Sequence, residues 1–165
     1  MRDWLRLGAV PLAVLVLDQL TKLWLVSSLP YGGDVPVIHG FFHLIHTRNR
    51  GVAFGLLGHG GEVLQTLLLV SVMLLLGFVA WQLWRHQGQV LNRTALGLIL
   101  GGGLGNVVDR LVRGEVVDFL DFYLQVGDRT YHWPAFNVAD AAITSGALLL
   151  LLREAYTHKH APNSD

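Results

Sequence analysis

Residues 63–84 read VLQTLLLVSVMLLLGFVAWQLW, and this stretch decides the class of fold. It contains no Asp, Glu, Lys or Arg, and it ends with Trp81 and Trp84, whose amphipathic rings favour a membrane–water interface. Roughly 20 helical residues, at about 1.5 Å each, cross the hydrocarbon core of a bilayer. The stretch is therefore predicted to be a transmembrane helix.

The composition of the whole chain agrees with a membrane protein. Of its 165 residues, 52% are apolar and 15% are charged, whereas soluble domains carry about 25% charged residues. The 12 Lys+Arg and 12 Asp+Glu balance, which argues against a basic nucleic-acid-binding surface and against an acidic disordered chain. Because there is no cysteine, disulfides, cysteine-ligated zinc and a thiol nucleophile are excluded.

Three more segments have the length and apolarity of a span. The first resembles a secretory signal, but Asp18 and Lys22 lie inside it, so we expect it to remain uncleaved. We expect a single integral-membrane domain over residues 1–165 with a disordered tail at 158–165. Its predicted spans are about 4–26, 63–84, 94–111 and 136–152, and its outer loops about 30–61 and 113–134.

Four spans would place both termini on one side of the membrane. The Lys and Arg residues near the span ends are almost balanced between the two sides, and they favour cytoplasmic termini only slightly. With that orientation, four acids from separate segments fall at the outer level of the membrane: Asp18, Asp109, Asp118 and Asp140. Ionisable groups at such depths are costly unless paired or solvated, so their convergence predicts a functional site.

The outer loops have features of a small sheet. Residues 37–45 alternate in places between apolar and polar types, and residues 116–126 are rich in β-branched and aromatic types. Asp118 and Asp121 in the second of these segments would face opposite ways in a regular strand but share a face in a helix. Their spacing therefore leaves open which of the two belongs to a site.

Two of the spans carry polar residues at helical spacing. Asp18 and Lys22 are four apart and predict an ion pair, which would be either purely structural or a support beside a reaction site. In the third span, small residues and then polar ones follow the same helical repeat. The glycines, which predict close helix packing, are Gly97, Gly101 and Gly105; the polar residues, which share one face, are Asn106, Asp109, Arg110 and Arg113.

The fourth span begins with Asn137, Asp140 and Thr144 on one helix face. Asp140 is suited to capping the helix, but so deep in an apolar segment a functional role is favoured. Paired with Asp118 or Asp121, it would resemble the aspartic protease dyad, in which two carboxyl groups share one proton. The eight histidines lack metal-ligand spacing on any predicted helix, so no metal or other cofactor is expected.

A different class of protein also fits the charged residues within the spans. Asp18, Lys22, Asp109 and Asp140 could line the path of a small proton- or ion-conducting transporter. Such a path would need polar residues continuing toward the inner side. The inner half of the fourth span, residues 148–152, is LLLLL, which argues against it.

Five blocks read together resemble the lipoprotein signal peptidase family, also called signal peptidase II or prolipoprotein signal peptidase. The blocks are DQLTK at 18–22, NRGVAFG at 49–55, GGGLGNVVDR at 101–110, GEVVDF at 114–119 and FNVAD at 136–140. Each is weak alone. Their common order across four spans makes the resemblance specific.

The resemblance implies an aspartyl endopeptidase of the bacterial inner membrane. It would cleave signal peptides from prolipoproteins just before a cysteine that carries diacylglycerol, and its catalytic pair would be Asp118 and Asp140. Substrate-binding or dyad-supporting roles fall on Asp18, Lys22, Asn49, Asn106, Arg110 and Asn137.

The family fold implied is mainly α: four transmembrane helices, an extracytoplasmic β cradle and a short helix in the last outer loop. The partners expected are prolipoprotein substrates and membrane lipid, with no nucleic acid. We expect the enzyme to be a monomer with cytoplasmic termini and an active site near the outer, periplasmic face.

Overall fold

The architecture combines four long helices with a small antiparallel sheet. The structure, a computed structural model, describes residues 2–51, 61–85 and 89–159. In chain order its elements are α1 (Arg2–Ser28), β1 (Asp34–Ile38), β2 (Phe42–Asn49), α2 (Glu62–Arg85), α3 (Val90–Arg113), β3 (Val116–Val126), β4 (Arg129–His132) and α4 (Val138–Lys159). Residues 52–55 of the second sequence block, and most of the tail expected to be disordered, lie outside the described residues.

Each predicted span lies largely within a long helix. Three of the helices are long and apolar enough to cross a membrane. These segments are Leu7–Ser28, Val63–Arg85 and Val90–Arg113. Only 11% of the second segment's most apolar window is buried against the rest of the described chain. Its many exposed leucines are typical of a helix that faces lipid.

The helices pack around α3, which contacts α1, α2 and α4. The small-residue prediction for this helix is confirmed. A Cβ on Gly101 would lie 2.6 Å from the Pro11 carbonyl oxygen, and one on Gly105 would lie 2.5 Å from Asp18 Oδ2. Both glycines therefore allow α1 to approach at backbone distance, which a larger side chain would prevent.

The chain leaves α3 through a left-handed glycine. Gly114 has φ 77° and its amide donates a 3.1 Å hydrogen bond to the Arg110 carbonyl oxygen. This conformation suits glycine because it has no Cβ. The turn sends the chain directly into β3, so the end of α3 and the start of the sheet lie together.

The sheet has the order β1-β2-β3-β4, with every neighbouring pair antiparallel. It is joined to the helices by a buried apolar cluster of Leu25, Val117 and Phe119, against which Val138 also packs. The prediction of a small sheet from both loops is confirmed. The two central strands, β2 and β3, carry the polar residues that face the site.

One expectation about the last outer loop is wrong, because its residues form strands and no short helix. Between Arg113 and Val138, a fully described range, the chain forms β3 and β4. The β-branched and aromatic residues of β3 pair with neighbours on both sides, which favours the extended conformation. The fourth helix also begins later than predicted, at Val138, because Phe136 forms a β-bridge with Leu120.

Candidate active site

The first turn of α4 is closed by a reciprocal pair of hydrogen bonds. The Asp140 amide donates to Asn137 Oδ1 at 2.9 Å, and the Asn137 amide donates to Asp140 Oδ2 at 3.3 Å. This is a capping box, in which two otherwise unpaired helix amides are satisfied. Asp140 therefore does cap the helix, and its other oxygen, Oδ1, accepts a 2.8 Å bond from Asn106 Nδ2.

The same asparagine connects the helix to the sheet. Asn137 is fully buried, and its Nδ2 donates to Asp118 Oδ1 at 2.7 Å and to the Val117 carbonyl oxygen at 3.2 Å. Asn137 thus contacts both acids: its side chain bonds the Asp118 carboxyl group, and its backbone amide bonds the Asp140 carboxyl group. The arrangement brings together, from β3 and α4, the two acids that the family resemblance selects.

Asp118 has the electrostatic character expected of a dyad member. Burial, and secondly the nearby negative charge of Asp140, raise the pKa of Asp118 to about 7, while hydrogen bonds from Asn49 and Asn137 oppose the rise. A carboxyl group that titrates near neutrality can hold or release a proton at physiological pH. Asp118 is therefore suited to acid–base chemistry.

Asp118 and Asp121 line the same cavity, although a regular strand would place them on opposite faces. The pairing sets Asp118 opposite Thr47 and Asp121 opposite His43, so three steps along β3 match four along β2 and the extra residue lies in β2. The register of the two strands is therefore irregular beside the acids. Both acids that the spacing left as alternatives belong to one cavity.

A second cluster of charges lies next to Asp118 and Asp140. The Lys22 ammonium lies 2.9 Å from Asp18 Oδ2 and 2.9 Å from Asp109 Oδ2, and all three side chains are fully buried. Asp18 Oδ1 also accepts a 2.9 Å bond from the Ala139 amide, in the first turn of α4. The predicted Asp18–Lys22 pair is confirmed. Because the three charged groups contact one another, no ion path is needed to explain their burial.

Lys22 also connects this cluster to Asp140 through Asn106. Its Nζ donates to Asn106 Oδ1 at 3.1 Å, while Asn106 Nδ2 donates to Asp140 Oδ1. A cation beside the amide oxygen fixes the orientation of the Asn106 side chain, because an ammonium group can only donate. Asn106 therefore presents its amino group to Asp140.

Asp109 is fully buried near the end of α3. Its Oδ2 accepts a 3.1 Å bond from the Val117 amide, and its Oδ1 accepts bonds from Arg113 and, at 3.1 Å, from Gln19. Gln19 was not selected from the sequence. A polar residue beside Asp18 in an otherwise apolar span was the available signal.

Arg110 lies at the edge of the site. Its guanidinium donates to the Asn106 carbonyl oxygen at 3.2 Å and to the Gly51 carbonyl oxygen at 2.5 Å. The Asn49 side chain accepts a 2.9 Å bond from the Gly51 amide, in addition to bonding Asp118. The structure therefore gathers all eight residues named from the resemblance into connected contacts.

A cavity of about 1090 Å³ lies on the sheet next to Asp118. Its described lining comes from strands and loops, and one wall contains a triad that was not selected from the sequence. Glu115 accepts hydrogen bonds from Arg48 Nη1 at 2.7 Å and from Arg50 Nε at 3.2 Å. Arg48, the nearer donor, is the main reason that the pKa of Glu115 lies below its ordinary value.

Buried acids at the junction of long apolar helices and a small sheet define a membrane enzyme. Two solved structures, each described as a bacterial membrane enzyme determined by the in meso method, are similar to this chain. One has a TM-score of 0.80 at 26% identity and covers 95% of this chain and 92% of its own. The other has a TM-score of 0.73 at 28% identity, covering 88% and 89%.

The sequence comparisons give the family. The family model described as "Signal peptidase (SPase) II" matches residues 10–156. A lipoprotein signal peptidase of Cupriavidus necator is 50% identical over 88% of this chain and 81% of its own length. A lipoprotein signal peptidase of Xylella fastidiosa is 40% identical over 98% and 93%. The chain belongs to the lipoprotein signal peptidase family, so the family predicted from the five sequence blocks is confirmed.

Proposed function

We propose that this protein is an aspartyl endopeptidase that cleaves signal peptides from diacylglyceryl-modified prolipoproteins, with Asp118 and Asp140 as its catalytic pair. The observation that carries the proposal is that buried Asn137 bonds both carboxyl groups. Its side-chain Nδ2 donates to Asp118, and its backbone amide donates to Asp140. The relatives named lipoprotein signal peptidases support the substrate class. Family membership favours this function over ion conduction.

The two acids divide the work of hydrolysis. Asp118, whose pKa is raised to about 7, holds the shared proton, and Asp140 is the carboxylate that removes a proton from water. The water oxygen then forms a bond to the scissile carbonyl carbon, and Asp118 gives its proton to the carbonyl oxygen. When the carbon–nitrogen bond breaks, Asp140 protonates the leaving amine and Asp118 recovers a proton from the collapsing diol.

The remaining site residues position this pair. Asn106 and Asn137 orient the carboxyl groups, and Lys22 orients Asn106 through its amide oxygen. Asn49 lines the cavity, and Arg110 donates to the carbonyl oxygen of nearby Gly51; both would bind the substrate backbone. Asp18 contributes by fixing Lys22 and the Ala139 amide.

The same proposal includes the membrane arrangement. We propose that α4 is a fourth span, that the termini are cytoplasmic and that the sheet lies at the outer, periplasmic surface of the inner membrane. The whole chain would be one domain and act as a monomer. Exposed polar residues in the sheet and beside it, such as Asp34 and Arg50, suit an aqueous surface. Acyl chains of the substrate would remain in lipid while the bond to be cut reaches the dyad.

Replacement of either acid by its amide tests the dyad. Asp118→Asn and Asp140→Asn are each expected to abolish cleavage of a diacylglyceryl-modified prolipoprotein, measured as the mass of the product, because each acid must exchange a proton. The matched control is Asp128→Asn, in the exposed β3–β4 turn, which should cleave normally. Full activity in either dyad variant, with the protein inserted and folded, would refute the assignment.

A further inference from the structure

The cavity beside Asp118 contains a group of charges that hydrolysis does not use. His132 Nδ1 lies 2.9 Å and 3.0 Å from the two oxygens of Asp121, which is 4% exposed. His43 Nδ1 lies 3.7 Å from Asp34 Oδ2. The Tyr123 ring lies between the two imidazoles, at centroid distances of 4.4 Å from His43 and 5.4 Å from His132. We refer to these five residues as the histidine–carboxylate row.

The row crosses all four strands, so its geometry is set by the sheet. Asp34 belongs to β1 and His43 to β2, while Asp121 and Tyr123 belong to β3 and His132 to β4. The strand register pairs His43 with Asp121 and Tyr123 with His132. All five residues line the cavity that also contains Asp118.

The two ends of this cavity differ in charge. At one end Arg48 and Arg50 share the single carboxylate of Glu115, which leaves an excess of positive charge, and Arg48 also lies 5.3 Å from the Tyr31 ring. At the other end are the carboxylates of the histidine–carboxylate row. Their ion-pair partners are the two imidazoles and not a lysine or arginine, so this end offers carboxylate oxygens without a permanent counter-charge. Asp118 lies between the two.

The direction of the substrate follows from the connections of the sheet. The positive end lies near the start of β3, which follows α3 directly, whereas Asp121 lies three residues beyond Asp118, toward the β3–β4 turn. A signal peptide must stay with the membrane helices because it is apolar. The segment that can occupy the distal part of the cavity is therefore the mature chain that follows the scissile bond.

We propose that the histidine–carboxylate row selects positive charge in the early mature chain of the substrate. Asp121 is three residues from Asp118, which corresponds to about 10 Å along a strand. An extended peptide covers the same distance in about three residues. The preferred position for a lysine or arginine is thus roughly the third residue after the bond. This inference rests on the proposed function, and it concerns specificity alone.

Matched substrates test the preference. A diacylglyceryl-modified prolipoprotein is prepared with Lys, Gln or Glu at single positions from the second to the sixth residue of the mature chain, and kcat/KM is measured at pH 7.5. Near the third residue, the Lys form should exceed the Glu form by roughly twofold to fivefold, the range for a partly exposed ion pair. The ratio should be smaller at the sixth.

Variants of the row then assign the effect. Asp34→Asn and Asp121→Asn should each move the Lys/Glu ratio toward one, while the Asp128→Asn control keeps it. Asp34 is 66% exposed in its side chain, so its variant reports on charge even if Asp121→Asn fails to fold. A wild-type ratio of one, or a ratio unchanged in Asp34→Asn, overturns the inference. Cleavage of the Lys and Glu substrates at equal rates refutes the charge preference alone. Failure to cleave even the Gln substrate refutes the proposed function as well.

Discussion

Asn137 Nδ2 donates a 2.7 Å hydrogen bond to Asp118 Oδ1, and this contact joins the first turn of α4 to the middle strand β3. Because the same residue caps the helix that carries Asp140, its position determines how the two acids face each other. The two acids are therefore held together by a residue that carries no charge of its own.

Asn137→Ala should lower kcat by roughly 100-fold, since misplacement of catalytic groups by about 1 Å can cost that much. Cleavage kinetics measure the effect. The control is Asn92→Ala, which removes another buried asparagine at the opposite end of α3, where Nδ2 donates to Gln89 at 2.8 Å. That variant should lose stability but retain kcat; equal kcat losses in both would argue against a positioning role.

Activity should fall as the pH rises through about 7. The proposed mechanism needs protonated Asp118, and the raised pKa means that this form is present below about 7 and lost above it. The decrease in kcat should follow the loss of one proton from the pair of Asp118 and Asp140. A rate that stays constant between pH 6 and 9 would contradict the assigned roles.

The same pKa predicts a dependence of stability on pH. An acid whose pKa is higher in the folded than in the unfolded state favours folding less as pH rises from about 4 to 7, because the unfolded chain releases its proton first. Asp118→Asn removes this penalty, which is at most about 4 kcal/mol for a shift to about 7.

Thermal unfolding of the detergent-solubilised protein measures this difference. Asp118→Asn should unfold at a higher temperature than the wild type at pH 8, and the gap should close as the pH approaches 4. The exposed Asp128→Asn control should show a constant, small difference. A gap that is the same at pH 5 and pH 8 would refute the linkage.

Lys22→Met should destabilise the fold strongly. Removing the ammonium leaves Asp18 and Asp109 buried without their shared counter-charge, and breaking a buried ion pair costs about 3–5 kcal/mol. Thermal unfolding should show the loss, and cleavage should also slow because Asn106 loses its orienting donor. Arg85→Met, at an exposed helix end, is the control and should have little effect. Wild-type stability in Lys22→Met would contradict the network.

Glycine-to-alanine changes test the packing of α1 against α3. Gly105→Ala would place a methyl group 2.5 Å from Asp18 Oδ2, and Gly101→Ala would place one 2.6 Å from the Pro11 carbonyl oxygen. Both should lower stability, and Gly105→Ala should also lower activity by displacing Asp18. Gly77→Ala in α2 meets nothing within 4 Å and should be neutral or stabilising by up to about 1 kcal/mol. Equal stability of all three variants would refute the close packing of α1 against α3.

Much of the fold was predictable from the sequence because its signals are local. Apolar runs of membrane length predicted all four helices, and the glycine repeat predicted the packing face of α3. The spacing of Asp18 and Lys22 predicted their pairing. The burial of Asp109 was not predictable, because its partners Lys22 and Gln19 come from another helix.

The sequence by itself determined the long apolar helices and the family, since length, apolarity and motif order are properties of the chain. Only the tertiary structure decided which groups share a site. The common cavity of Asp118 and Asp121 depends on how β3 packs within the sheet, and the bonds of Asn137 depend on how α4 meets β3. Contacts between distant segments are set by the packing of the whole chain, so residue spacing could not specify them.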